Sequence, residues 1–231
     1  MRRYLWRGAL AAALGLGFGA YLIGCGSDST PTAPGLGEPA PVANSPASAL
    51  RLLEWIFNQR SVDTYRTLLS ADFIFLCSPV DSAGNAYRTT AWDRDDELSF
   101  ATHLFIGGGG LTPASRIQLT LDRNFLIFPD PTSPWDPTGR WHRNVRSTLT
   151  AVIVLTDGAS LELQGHANFF LVRGDSVAIP GDLRVLGVVP DSTRWYLRRW
   201  DDETAEVGGS PLLAAQPSSN LTLCGIKSRY H

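Results

Sequence analysis

The sequence predicts an α+β fold, with helices gathered at the front of the chain and long antiparallel strands behind them. Three observations carry this. Apolar residues recur at helical spacing in three segments between residues 46 and 106. From residue 116 onward, apolar and polar residues alternate as in half-buried strands. No alternation of strand and helix follows, so a parallel doubly wound sheet is not indicated.

The first helix starts near Pro46, where Ser45 can cap and Pro46 suits the first helical position. Apolar residues at 49, 50, 52, 53, 56 and 57 give it a buried stripe, and it should end near Asn58 to Arg60. Ser61 can cap a second, short helix with Val62, Tyr65, Leu68 and Leu69 on one face. Residues 71–77, rich in Phe and Ile, read as a short strand. A polar loop covers residues 78–90. A third helix spans about Asp93 to Ile106, striped by Leu98, Ala101, Leu104 and Phe105. Asp93, Asp95, Asp96 and Glu97 crowd its first turn, where the helix dipole favours negative charge. Gly107 to Gly110 stop it; lacking the Lys-Ser/Thr of a phosphate loop, this run is a turn.

Strands then occupy residues 116–122, 141–156, 161–173 and 193–201. A Pro-rich turn from Pro129 to Gly139 separates the first two, and Asp157-Gly158 marks a tight hairpin between the next two. An irregular stretch with Pro180 and Pro190 precedes the last. Residues 211–220 read as a loose tail, and residues 221–230 are apolar enough to dock back as a short terminal element.

Composition bounds the function. Of 231 residues, 44% are hydrophobic and 18% charged, enough apolar mass for one good core and too much for a wholly disordered chain. A formal net charge of −2 gives no basic surplus for nucleic acid. Only Lys227 is lysine; the arginine bias is read as compositional, without structural meaning.

The N-terminus reads as an address. Arg2, Arg3 and Arg7 precede Gly8 to Ile23, a run without charges. Its 16 residues fall short of a comfortable bilayer span, which takes about 20. The string Leu22-Ile23-Gly24-Cys25 that ends it resembles the lipobox of bacterial lipoproteins. That resemblance implies cleavage before Cys25, acylation of Cys25 and anchoring in the bilayer through palmitate-type chains. Gly26 stands where an Asp would imply retention at the inner membrane, so an outer-membrane anchor facing the periplasm or the cell surface is implied. Without the three signal arginines, 17 basic residues face 22 acidic ones, a mature charge of −5. Residues 25–47 then form the acylated Cys and a Pro/Gly/Ser tether with no core-forming residues. The expected organisation is signal 1–24, tether 25–47, domain 48–204 and a tail 205–231 docking back on the domain.

Four strings within residues 46–204 resemble a known family. Asp63-Thr-Tyr-Arg-Thr-Leu-Leu-Ser-Ala-Asp-Phe-Ile-Phe75 is similar to the opening of NTF2-like (SnoaL-like) domains, where such a string joins the second helix to the first strand. Trp92-Asp-Arg-Asp-Asp-Glu97 resembles the start of that fold's third helix. Gly165 to Arg173 and Arg194 to Asp202 resemble its last long strands. The resemblance implies a cone-shaped barrel, a strongly curved antiparallel sheet wrapped around three N-terminal helices. It also implies a pocket between sheet and helices. Some members place Asp, His, Tyr or Arg there for proton transfer and others bind without catalysis, so a reaction does not follow from the fold.

Several residues suit chemistry and a purely structural role alike. Asp96 and His103 share a helix face with Phe100 between them and would make the acid–base pair. The competing reading leaves Asp96 to the helix dipole and His103 to the core edge, and it is preferred; no catalytic residue is assigned. Glu162, Gln164, His166 and Asn168 line one strand face, read as solvated or partner-facing, with His166 as a ligand candidate. Arg194, Arg198 and Arg199 interleave with Trp195, Tyr196 and Trp200, which makes Arg198 and Tyr196 further candidates for an anionic ligand. No zinc spacing and no nucleophile elbow is present, so neither metal nor cofactor is expected. Cys77 and Cys224 either bridge in an oxidising compartment or stand apart as small hydrophobes.

The sequence therefore reads as a membrane-anchored envelope lipoprotein whose NTF2-like domain is a non-catalytic binding or interaction module. Its partners would be the bilayer through Cys25, and a protein or small molecule, with a homodimer through the sheet as one form and nucleic acid excluded. Two alternatives stay open: an acid–base enzyme of dehydratase or isomerase type, and an envelope structural or assembly component.

Overall fold

Local capping chemistry starts each of the first three helices where the sequence implies. In the computed structural model, which describes residues 38–78, 92–174, 177–204 and 222–231, Ser45 and Ser48 form a reciprocal capping box at α1 (Pro46–Gln59). Arg60 closes α1 in the left-handed region at φ 55°. Ser61 Oγ accepts from Thr64 N at the start of α2 (Val62–Leu68). Asp93 accepts from Asp95 and Asp96 N at α3 (Arg94–Phe105). Cys25 with its lipobox, the tether up to residue 37, residues 79–91 of the polar loop and residues 205–221 lie outside the described residues.

Among the described residues, seven strands form one sheet: β1 (Leu69–Leu76), β2 (Trp92–Asp93), β3 (Ala114–Leu121), β4 (Leu126–Pro129), β5 (His142–Leu155), β6 (Ser160–Gly174) and β7 (Asp191–Asp202). Their order is β2-β1-β7-β6-β5-β3, with β4 also paired to β5. The fold is α+β. Its sheet is mixed rather than antiparallel throughout: β1 runs parallel to β7, with Phe75 opposite Trp200. Parallel neighbours need a long crossover, and everything from α3 to β6 serves as one. The sheet is open, with β2 at one edge and β3 at the other.

The long hairpin β5–β6 pairs from His142↔Val172 to Val154↔Ser160 and turns at Asp157-Gly158, where Gly158 sits at φ 90°. Leu161, Leu163, Ala167 and Phe169 of β6 are buried, while Glu162, Gln164 and His166 are exposed. One face of the sheet packs on α1–α3 in a continuous apolar core.

A bulge interrupts β7. Phe170 pairs with Arg199 and Leu171 with Leu197, which leaves Arg198 as the extra residue. The extra residue shifts the alternation by one, so Leu197 and Trp200 both reach the core while two arginines lie between them. On the outer face a second, small cluster forms from Val172, Ala178, Ile179, Leu183 and Tyr196, covered by α4 (Gly181–Val185). That helix, β2 and β4 are additions to the elements predicted from sequence. Gly165 lets the chain after β7 lie close: a Cβ there would fall 2.7 Å from Thr204 Cα.

The last element, α5 (Leu223–Tyr230), is capped by Thr222 and buries Leu223, Cys224, Ile226, Lys227 and Tyr230. Cys224 is disulfide-bonded to Cys77 at the end of β1, across 147 positions of sequence. Of the two arrangements the sequence left open, the structure has the bridge.

Candidate functional site

Glu97 lies one turn into α3 on the same stripe as Phe100, Ala101 and Leu104, and is 0% exposed. Its Oε1 accepts from the Tyr65 hydroxyl at 2.6 Å, and its Oε2 from Trp92 Nε1 at 2.8 Å. The third donor is Lys227 Nζ, brought from α5 onto Oε2. Lys227 is the chain's single lysine and is 1% exposed. The stripe 223, 224, 226, 227 and 230 of α5 faces inward, so the ammonium occupies a position that helical spacing reserves for an apolar side chain.

Four buried rings surround that ammonium. Its Nζ lies 4.0 Å from the centroid of Phe75, 4.5 Å from Phe100, 5.3 Å from Trp200 and 5.4 Å from Trp92. All four distances lie within the range in which ring quadrupoles attract a cation, about 6 Å. The rings hold one another edge to face: Phe75 on Trp200 at 5.7 Å, and Trp92 on both Phe75 and Phe100 at 6.4 Å. They come from β1, β2, α3 and β7, none from α5.

Burial dominates the electrostatics. Desolvation lowers the Lys227 pKa, against the opposing pull of Glu97 and Asp202. It raises the Tyr65 hydroxyl well above the ordinary phenol value, and the Glu97 charge adds to this. Asp202, which accepts from Thr204 N and Oγ1 at 3.0 and 2.9 Å, is pushed up to about 6, chiefly by burial. A buried charge without a partner is strongly unfavourable, so each member of this cluster depends on the others. Both Glu97 oxygens thus accept from buried donors, one of them a cation.

Asp96 and His103, the acid–base candidates that the sequence left unassigned, bond to other partners. Asp96 Oδ1 contacts His231 Nε2 at 3.0 Å, while its Oδ2 accepts from Asp93 N at the helix start. His103 Nδ1 donates to the Tyr230 carbonyl at 2.8 Å. Both residues clamp the end of α5, and Tyr230 adds a bond from its hydroxyl to the Thr112 carbonyl at 2.6 Å.

The ligand candidates lie elsewhere. His166 is exposed on β6, Tyr196 is in the outer cluster, and Arg198 pairs with Asp72 at 2.8 Å. Arg198 borders two shallow outer clefts of about 140 and 260 Å³, the first shared with Asp130 and Arg199, the second with Trp135 and His142. These clefts do not bring the three candidates together. Among the described residues, no group of three or more His, Cys, Asp or Glu is placed to hold a metal ion.

Glu97, Tyr65, Trp92 and Lys227 were not singled out from sequence. Glu97 reads as one more acid at the helix start, yet its spacing to Phe100, Ala101 and Leu104 puts it at the centre of the buried stripe. Lys227 carried a signal too: a single lysine inside an apolar helical pattern.

Neither a family model nor a curated protein matches this sequence. Solved structures similar to it include a conserved protein from Planctomyces limnophilus, at 14% identity and a TM-score of 0.46, covering 69% of this chain and 92% of that one. An NTF2-like superfamily protein from Salmonella enterica serovar Typhimurium is similar at 12% identity and a TM-score of 0.43, covering 71% and 91%. An NTF2-like protein of unknown function in nutrient uptake from Rhodospirillum rubrum is similar at 14% identity and a TM-score of 0.41, covering 67% and 93%. Such likeness concerns fold alone.

Proposed function

We propose that this chain is a lipid-anchored envelope protein whose α+β domain is a non-catalytic binding module. The observation that carries the non-catalytic part is the Glu97–Lys227 pair. The Glu97 carboxylate is engaged by Lys227, Tyr65 and Trp92, which leaves neither of its oxygens without a donor. Asp96 and His103 serve the docking of α5 instead of proton transfer.

The envelope part rests on the charged, short apolar segment ending in Leu22-Ile23-Gly24-Cys25 and on the Pro-rich stretch behind it. The Cys77–Cys224 bridge supports it, because such bridges persist in oxidising compartments. Apolar side chains left outside, Val185, Leu186 and Val189 at 88%, 77% and 69% exposure, favour contact with a partner.

Labelled palmitate supplied to a bacterium expressing the chain tests the anchor. The wild type should take up label and Cys25→Ala should not; equal labelling of the two would contradict the reading.

A further inference from the structure

The four rings and Glu97 form a complete receptor for an ammonium group without any atom of α5. Tyr65, Phe75, Trp92, Glu97, Phe100 and Trp200 all belong to elements that precede the tail, and all are buried. Aromatic faces held by one another, with a carboxylate at one wall, are arranged before the cation arrives. Were docking of α5 the sole purpose, an apolar side chain would fill position 227 without the cost of desolvating two charges. The chemistry of the walls selects a cation.

We infer that the interior is an ammonium-binding site whose resident occupant is Lys227, and that a primary alkylammonium ligand takes its place when Cys77–Cys224 is reduced. This rests on the binding-module reading and names its ligand class. The bridge ties α5 covalently to β1, and the Lys227–Glu97 pair, the packing of Leu223 and Ile226, and hydrogen bonds at Thr204, Thr112, Asp96 and His103 also hold it. Cys77 is half-buried and Cys224 fully buried, so Cys77 is the sulfur open to attack. A dithiol attacks Cys77 Sγ, the Cys77–Cys224 bond breaks, and Cys224 leaves as a thiol. The second thiol of the reductant then displaces Cys77. Two electrons and two protons pass to the protein, and the reductant becomes its disulfide.

The test uses the full chain in mild detergent. Trp92 and Trp200 line the site, so tryptophan fluorescence follows titration with n-butylammonium chloride, with n-butanol as the neutral match. Oxidised wild type should not respond. Oxidised Lys227→Ala should bind n-butylammonium saturably, about tenfold or more tighter than n-butanol, and the amine should raise its melting temperature. Adding Glu97→Gln should remove the preference. Dithiol treatment of the wild type should raise the labelling rate of Lys227 by an amine-reactive reagent, by about tenfold or more. In dithiol-treated Lys227→Ala, a peptide of residues 222–231 binding at least as tightly as n-butylammonium assigns the source to a lysine on a polypeptide. Tighter binding of n-butylammonium assigns a free amine, and either result supports the site.

Equal affinity for n-butanol and n-butylammonium would overturn the inference, as would labelling of Lys227 that ignores the dithiol. So would a Lys227→Ala chain that fails to melt cooperatively even with the amine present, since the receptor is held to stand without the lysine. Palmitate labelling is independent of all these results, so failure of the amine site and failure of the anchor are told apart.

Discussion

Lys227 of α5 and Glu97 of α3 are bonded partners 130 positions apart, at 1% and 0% side-chain exposure. The pair decides how α5 seats. Cys224 is fixed by its bridge to Cys77 and Tyr230 by its hydroxyl, while Leu223 and Ile226 would tolerate a slipped register on apolar grounds alone. A charge that can be buried only against Glu97 does not.

Breaking that pair from one side leaves a buried charge uncompensated. Glu97→Gln and Lys227→Met should each cost about 3–5 kcal/mol. The double variant should cost less than the two added together, because both charges leave at once. Urea melts of the four forms measure this; additive losses would show that the two side chains act independently.

The bridge should contribute on the same scale. A closed loop of 147 residues corresponds to about 5 kcal/mol in the chain-entropy account. Reduction, or Cys224→Ser, should therefore lower the melting temperature by many degrees. An unchanged melt under reductant would mean that α5 is held as firmly by its other contacts.

Asp202 sets a pH dependence. Its pKa in the folded chain is about 6, against an ordinary 3.8. The native state thus holds a proton over a range in which the unfolded chain has released it. Stability from this group is full below about pH 4, falls as pH rises toward 6, and is flat above, a change of about 3 kcal/mol. Asp122, Asp136 and Asp182 act in the opposite sense: their pKa values are lowered, so their contributions fade as pH falls. Melts of wild type and Asp202→Asn between pH 4 and 7 isolate the first effect: the wild type should lose up to about 3 kcal/mol relative to the variant as pH rises, and parallel curves would contradict it.

The Pro-rich turn hangs on Asp136, which accepts main-chain N–H bonds from Arg140, Trp141 and His142 at 2.9, 2.7 and 2.8 Å. Burial acts to raise its pKa, and these three donors outweigh it. Asp136→Ala strands all three amides and should cost about 2–3 kcal/mol. Loss of under half a kcal/mol in a urea melt would show that water replaces the carboxylate.

Elements governed by neighbours in sequence were legible in it. Ser45 and Ser61 cap where the sequence implies because capping is settled within four residues; Asp93, read as one of the first-turn charges, is itself the cap of α3. The hairpin at Asp157-Gly158 is equally local. Pairing of β1 with β7 was not legible, since partners some 125 residues apart are chosen by packing and not by any local pattern. The five residues of α4 and the four of β4 are too short to show a period. At the site, Asp96 and His103 drew attention because their chemistry is familiar, while the groups that reach the interior hid in apolar stripes. Counting Glu97 with Phe100, Ala101 and Leu104, and Lys227 with Leu223 and Ile226, would have placed both inside.

Because Lys227 is the single lysine, labelling with ¹³C,¹⁵N-lysine yields one side-chain signal set for the whole chain. The Lys227 ε-methylene protons should be shifted upfield by the rings of Phe75, Trp92, Phe100 and Trp200, and its ammonium signal should be protected from exchange with water. Glu97→Gln should move both. A lysine with the shifts and exchange of a free side chain in the oxidised wild type would contradict the placement of Lys227 in the interior, and the occupied receptor built on it.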